Sequence, residues 1–198
     1  MFDPQNLIAT FGYLGMFLTV FIETGLLVGF FLPGDSLLLA AGIFAATPGA
    51  PIQIVPTILV FIAGSFLGDQ LGYWVGRIAG PRVFNRPQSR FFDPENVNKA
   101  KAFFDKYGVL TIIVARFVPV VRAFAPTMAG VTKLNYAVFI GLSAVGAVLW
   151  GSGVTLLGYF LGRLIPDLEK YIYLVVIGGI LAAVVPSVLH LVRAGKKS

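Results

Sequence analysis

The sequence predicts an all-α polytopic membrane protein: an inverted repeat of a re-entrant hairpin plus a transmembrane helix, with an additional C-terminal transmembrane helix, in a single membrane domain. Three observations carry this reading. The chain is 57% hydrophobic and 12% charged, whereas a soluble domain carries about 25% charged residues. Three stretches reach the roughly 20 apolar residues that a helix needs to cross the hydrocarbon core. Finally, the chain matches itself in an ordered series of short segments.

The first repeat covers about residues 3–80. Leu7 to Ala46 is apolar but interrupted by Glu23 and by Pro33-Gly34-Asp35-Ser36. Pro-Gly breaks a helix and Asp-Ser caps a new one. Only Leu37 to Ala46 remains after the break, about half a span, which suits a hairpin that enters and leaves on one side. Non-helical backbone at that depth is tolerated where protein buries it or where it lines a wet cavity. Ile52 to Ile78 follows as a full span, apolar except near Asp69 and Gln70. Gly64, Gly68, Gly72, Gly76 and Gly80 recur every four residues on one face of it, and small residues at that spacing let helices approach closely in lipid.

Between the repeats, Val97, Ala100, Phe103, Phe104 and Tyr107 share a helical face, with Lys99, Lys101 and Lys106 at polar positions. Asp93 to Tyr107 is therefore expected to lie on the membrane surface as an amphipathic helix. The second repeat covers about residues 93–165. Val109 to Val131 is interrupted by Arg116, Pro119, Arg122 and Pro126, so helix breaks are expected at Pro119 and Pro126. Leu134 to Gly162 is a span without a charge, and Tyr171 to Val192 is the C-terminal span.

The self-match fixes the repeat. Leu71-Gly72-Tyr73-Trp74-Val75-Gly76-Arg77 returns as Leu157-Gly158-Tyr159-Phe160-Leu161-Gly162-Arg163, 86 residues on. Phe31-Leu32-Pro33 returns as Phe117-Val118-Pro119 at the same offset, Ala41-Gly42 as Ala129-Gly130 at 88, and Asp3-Pro4-Gln5-Asn6 resembles Asp93-Pro94-Glu95-Asn96 at 90. Matches in one order at nearly one offset indicate duplication. A hairpin plus one span makes one crossing, so the second copy is inverted, an arrangement common in secondary transporters.

Charge sets the orientation and narrows the chemistry. Arg77 to Lys106 holds seven basic and three acidic residues, and the C-terminus holds Arg193, Lys196 and Lys197; both are expected in the cytoplasm. Arg163 and Lys170 then fall outside, against the rule, and the N-terminus has no cation to place it. No positive stretch opens residues 1–22, so no signal peptide is expected. The net charge of +6, dispersed between apolar runs, suits anionic lipid headgroups rather than nucleic acid. The chain has no Cys and a single His190 near basic residues at its end. No nucleophile motif or metal-ligand cluster is present, so no enzyme activity, cofactor or metal is expected.

Glu23, Asp35, Arg116 and Arg122 stand out because each lies in an otherwise apolar segment. A charge at the bilayer centre costs about 2.5–3.5 kcal/mol, and four unpaired ones roughly 10–14 kcal/mol. They must pair, meet water or bind something. Two ion pairs stapling the hairpins together are the structural reading. The functional reading is a site: Arg116 and Arg122 bind an anionic substrate, since the guanidinium fork matches phosphate, and Glu23 and Asp35 carry protons. Asp69 and Tyr73, one turn apart on a span, either line the same cavity or mark a span end where Arg77 balances the Asp.

At these residues the chain resembles the DedA family, which shares its core with eukaryotic VTT-domain lipid scramblases. The resemblance covers about residues 10–165. It runs through Phe21-Ile22-Glu23, Leu32-Pro33-Gly34-Asp35-Ser36, Gly68-Asp69 to Tyr73, Gly76-Arg77, the segment Ala115-Arg116-Phe117-Val118-Pro119-Val120-Val121-Arg122, and Ala129-Gly130. It implies a bacterial inner-membrane protein that translocates undecaprenyl phosphate or a phospholipid such as phosphatidylethanolamine, with dependence on the proton motive force. It also implies that Glu23, Asp35, Arg116 and Arg122 are required. The expected partners are membrane lipids, an anionic lipid phosphate above all, and protons, with room for a homo-oligomer. A proton-coupled exporter of cations or drugs, a lipid phosphatase and a non-transporting assembly factor are the competing readings.

Overall fold

A computed structural model describes residues 4–26, 34–84, 111–117 and 119–165. The expected surface helix at 93–107, the C-terminal span at 171–192 and His190 lie outside the described residues. Among the described residues every regular element is an α-helix.

Helix α1 spans Pro4–Gly25 and α2 spans Gly34–Ala45. Proline at the first position of α1 uses a site whose amide has no intrahelical partner. Asp35 in the first turn of α2 faces the positive end of that helix. Twelve residues rise about 18 Å, about half a membrane core, as the Pro-Gly break predicts. A turn through Gly49, which has a φ of 78°, leads to α3 at Ile54–Phe84.

Helix α4 is a short piece, Thr111–Ala115, and α5 spans Pro119–Val131. The chain between them breaks at Arg116 and Phe117. The expected break at Pro126 is not found: α5 runs through it. One proline removes one backbone hydrogen bond, and packed neighbours hold the helix together at membrane depth. Lys133 adopts a φ of 57° and closes the turn into α6, Tyr136–Leu164. Asn135 caps α6: its Oδ1 accepts from the amides of Ala137 and Val138 at 2.9 and 3.4 Å.

Ile54–Ala79 and Tyr136–Leu164, at 26 and 29 residues, rise about 39 and 43 Å, enough to cross a core of about 30 Å. Their outward side chains are apolar, and polar ones are buried among Phe61, Phe139 and Trp150. Leu59, Leu67, Trp74 and Ile78 of α3, and Val145, Leu149, Leu157 and Phe160 of α6, point outward. Thr57, Ser65, Asp69, Ser143 and Thr155 are buried. An apolar exterior along helices of this length suits contact with lipid.

The described helices fall into two compact units, within Met1–Thr19, Phe31–Phe61 and Gly151–Ser198 for the first, and Val20–Phe30 and Ile62–Trp150 for the second. In the first, α2 lies against the end of α6, with Gly42 over the backbone of Thr155 and Tyr159. Tyr13 of α1 accepts the amide of Gln53 at 2.8 Å. In the second, α5 lies against α3, with Gly130 over the backbone of Tyr73 and Arg77. Its core is Tyr73, Ile112, Ala129 and Phe139. The Tyr73 ring stacks on Phe139 at 4.7 Å, and its hydroxyl donates to the Leu134 carbonyl at 2.6 Å. Each unit thus joins the short helix of one sequence repeat to the long helix of the other.

Candidate functional site

Two buried ion pairs lie in the second unit. Glu23 stands in the last turn of α1 and Arg122 in the first turn of α5. Arg122 Nη2 donates to Glu23 Oε1 at 2.5 Å. The Arg122 guanidinium also lies over the Trp150 ring of α6, 4.8 Å from its centroid, a cation–π contact that strengthens as water is excluded. The Glu23 side chain is 6% exposed and that of Arg122 14%.

The other pair is part of a wider network. Arg116, in the break between α4 and α5, donates through Nη2 to Asp69 Oδ2 on α3. The same carboxylate oxygen accepts from the Ser143 hydroxyl of α6 at 2.5 Å. Gln70 Nε2 donates to Ser143 Oγ at 3.2 Å and to the Phe66 carbonyl at 3.1 Å. Gly146, one turn beyond Ser143, leaves room for the arginine: a Cβ there would stand 2.8 Å from Arg116 Cδ and Nε. Two long helices that are distant in sequence therefore hold one guanidinium. Buried charges of this kind persist where pairing and hydrogen bonding offset their desolvation.

Of the residues singled out from sequence, Glu23, Asp69, Arg116 and Arg122 meet in these two pairs. Asp35 opens α2 in the first unit, half-buried. Tyr73 directs its hydroxyl to Leu134, and Arg77 donates to that hydroxyl at 2.8 Å, so the partner of Asp69 is Arg116 and not Arg77. Sequence reasoning noted Gln70 only as a polar interruption of a span and passed over Ser143, Gly146 and Trp150. The signal for Ser143 was its polarity inside a long apolar span. For Gly146 and Trp150 the sequence carried none, because their role depends on which arginine lies beside them. Among the described residues no group of three His, Cys, Asp or Glu side chains is placed to hold a metal.

Comparison with known proteins follows the same residues. The VTT domain matches residues 32–160. An uncharacterised membrane protein of Mycobacterium tuberculosis is 43% identical over 179 residues, covering 90% of this chain and 78% of its own. Protein DedA of Escherichia coli is 37% identical over 191 residues, 95% of this chain and 87% of that one. Inner membrane protein YghB of Escherichia coli is 36% identical over 169 residues, 85% and 75%. No solved structure matches. With the domain matched over most of the chain and relatives this similar along nearly all of it, the chain is a membrane protein that belongs to the VTT-domain, or DedA, family.

Proposed function

We propose that this protein translocates an anionic lipid, a polyprenyl phosphate such as undecaprenyl phosphate or a phospholipid, across the bacterial cytoplasmic membrane, with proton movement coupled to lipid movement. The observation that carries the reading is the pair of buried arginine–carboxylate contacts, Arg122 with Glu23 and Arg116 with Asp69, among helices whose outward side chains are apolar. A guanidinium buried against a carboxylate is a ready phosphate receptor: the phosphate offers the same paired oxygens. When phosphate takes the arginine, the displaced carboxylate is left buried and accepts a proton more readily than it leaves the interior charged. Lipid binding and proton uptake then become one exchange. Glu23 is the first carboxylate assigned this role, with Asp35 the second from its place behind the Pro33-Gly34 break. The chain acts as a carrier and not as a catalyst of bond cleavage.

The hairpins in this reading are re-entrant, the two repeats are inverted, and the C-terminus is cytoplasmic. Purified protein in vesicles tests it. Labelled undecaprenyl phosphate or phosphatidylethanolamine should cross faster than in protein-free vesicles, and a pH gradient should change the rate. Movement of neither lipid, with transport of a cation or drug instead, overturns the assignment.

A further inference from the structure

The two compact units use one docking contact in two registers, and we propose that each short helix slides one helical turn along its long helix, so that the units exchange registers. In the first unit Gly42 covers the Thr155 carbonyl and the Tyr159 amide, and Gly158 covers the Leu39 backbone. In the second, Gly130 covers the Tyr73 carbonyl and the Arg77 amide, and Gly76 covers the Thr127 backbone. The short helices correspond at an offset of 88 residues, which pairs Gly42 with Gly130 and Leu39 with Thr127. The long helices correspond at 86, which pairs Gly72 with Gly158 and Gly76 with Gly162. An identical dock would place Thr127 on Gly72; it stands on Gly76 instead, four residues on. The carbonyl contact is displaced by the same four residues, from Asp69, the counterpart of Thr155, to Tyr73.

Four residues are one turn, about 5–6 Å along the axis. Both long helices carry a glycine where the other register needs one: Gly72 in α3, and Gly162 in α6, which in the present register already packs against the Ile43 backbone and Ala46. A Cβ at Gly76 or Gly158 would strike backbone, which cannot yield, whereas at Gly72 it would meet Pro126 Cβ at 3.1 Å, with the Gly25 carbonyl and Thr127 Oγ1 at 3.6 Å. Glycine weakens a helix interior, and in α3 the present register sets α5 backbone against Gly76 but α5 side chains against Gly72. Discrete jumps of one turn between packed elements are an established form of two-state transition.

The slide reaches the charges. Gly25 seats α1 on Gly68 of α3, so Glu23 stays with α3 while Arg122 travels with α5. One turn of travel separates the Glu23–Arg122 pair, which makes that ion pair the latch of the present register. The inference concerns the movement alone and does not depend on which solute is carried.

The chain has no Cys, so introduced thiols label specifically. Ile78→Cys on α3 and Phe124→Cys on α5 are both at exposed positions. Spin labels there, in lipid nanodiscs, should give two distance populations by pulsed electron resonance, the second longer by about 5 Å. Gly72→Ala asks Pro126 to give by a few tenths of an ångström in the present register and sets a methyl against α5 backbone in the other, so it should leave the shorter distance alone. Glu23→Gln should enrich the longer one. A Gly72→Cys/Pro126→Cys disulfide, closed before the spin labels are attached at positions 78 and 124, gives the same trap should the alanine variant fold poorly. One population in the parent protein, unchanged by Glu23→Gln, overturns the slide even if lipid transport is observed. Two populations without lipid transport uphold it and remove the lipid assignment instead.

Discussion

Arg116 and Arg122 are both paired, yet they are held by different means. Arg116 is enclosed by Asp69, Ser143 and the open face of Gly146 on two long helices. Arg122 is held by Glu23 and the face of Trp150. Asp69→Asn leaves the first guanidinium buried without its counter-charge and should cost about 3–5 kcal/mol of stability, read as a fall in thermal midpoint of the purified protein. Gly146→Ala keeps every charge but pushes the arginine shaft from its seat. Its cost should be smaller, about 1–3 kcal/mol, because the displaced atoms belong to a flexible side chain. A Gly146→Ala protein as unstable as Asp69→Asn would show that the seat is rigid. Arg122→Lys preserves charge and loses both the fork and the flat face that lies over Trp150. The variant should reach the membrane folded and transport lipid poorly; full activity would show that charge alone suffices.

At the scale of elements, close backbone approach decides where glycine is required. Gly130 and Gly141 are both helical, and a scan by sequence alone treats them alike. A Cβ at Gly130 would strike the Tyr73 carbonyl, whereas Gly141 has open space. Gly130→Ala should therefore lower the thermal midpoint through forced separation of α5 and α3. Gly141→Ala should leave it unchanged or raise it by the equivalent of about 0.5–1 kcal/mol, the helix preference of alanine over glycine. The same melting measurement on both variants checks the contrast.

At the scale of the molecule, the orientation is the property open to direct test. From the basic bias of residues 77–106 and of the C-terminus, both are predicted to face the cytoplasm. Ser89→Cys and Ser198→Cys should each resist an impermeant thiol reagent in intact cells and react after lysis. Labelling of either in intact cells would reverse the assignment.

What sequence determined by itself is local and one-dimensional. Apolar run length gave the two long spans, the Pro33-Gly34 break gave the start of α2, and isolated charge in apolar surroundings gave Glu23, Arg116 and Arg122, because hydration cost and backbone geometry act on each residue where it stands. The partnerships were decided only by the tertiary structure. Arg122 meets Glu23 across 99 residues and Arg116 meets Asp69 across 47. Four buried charges can be paired in several ways with the same loss of hydration. The choice among those pairings is made by which helix backbones come close enough to touch, at Gly25 on Gly68, Gly76 on Thr127 and Gly130 on Tyr73, and that depends on the shape of both partners at once.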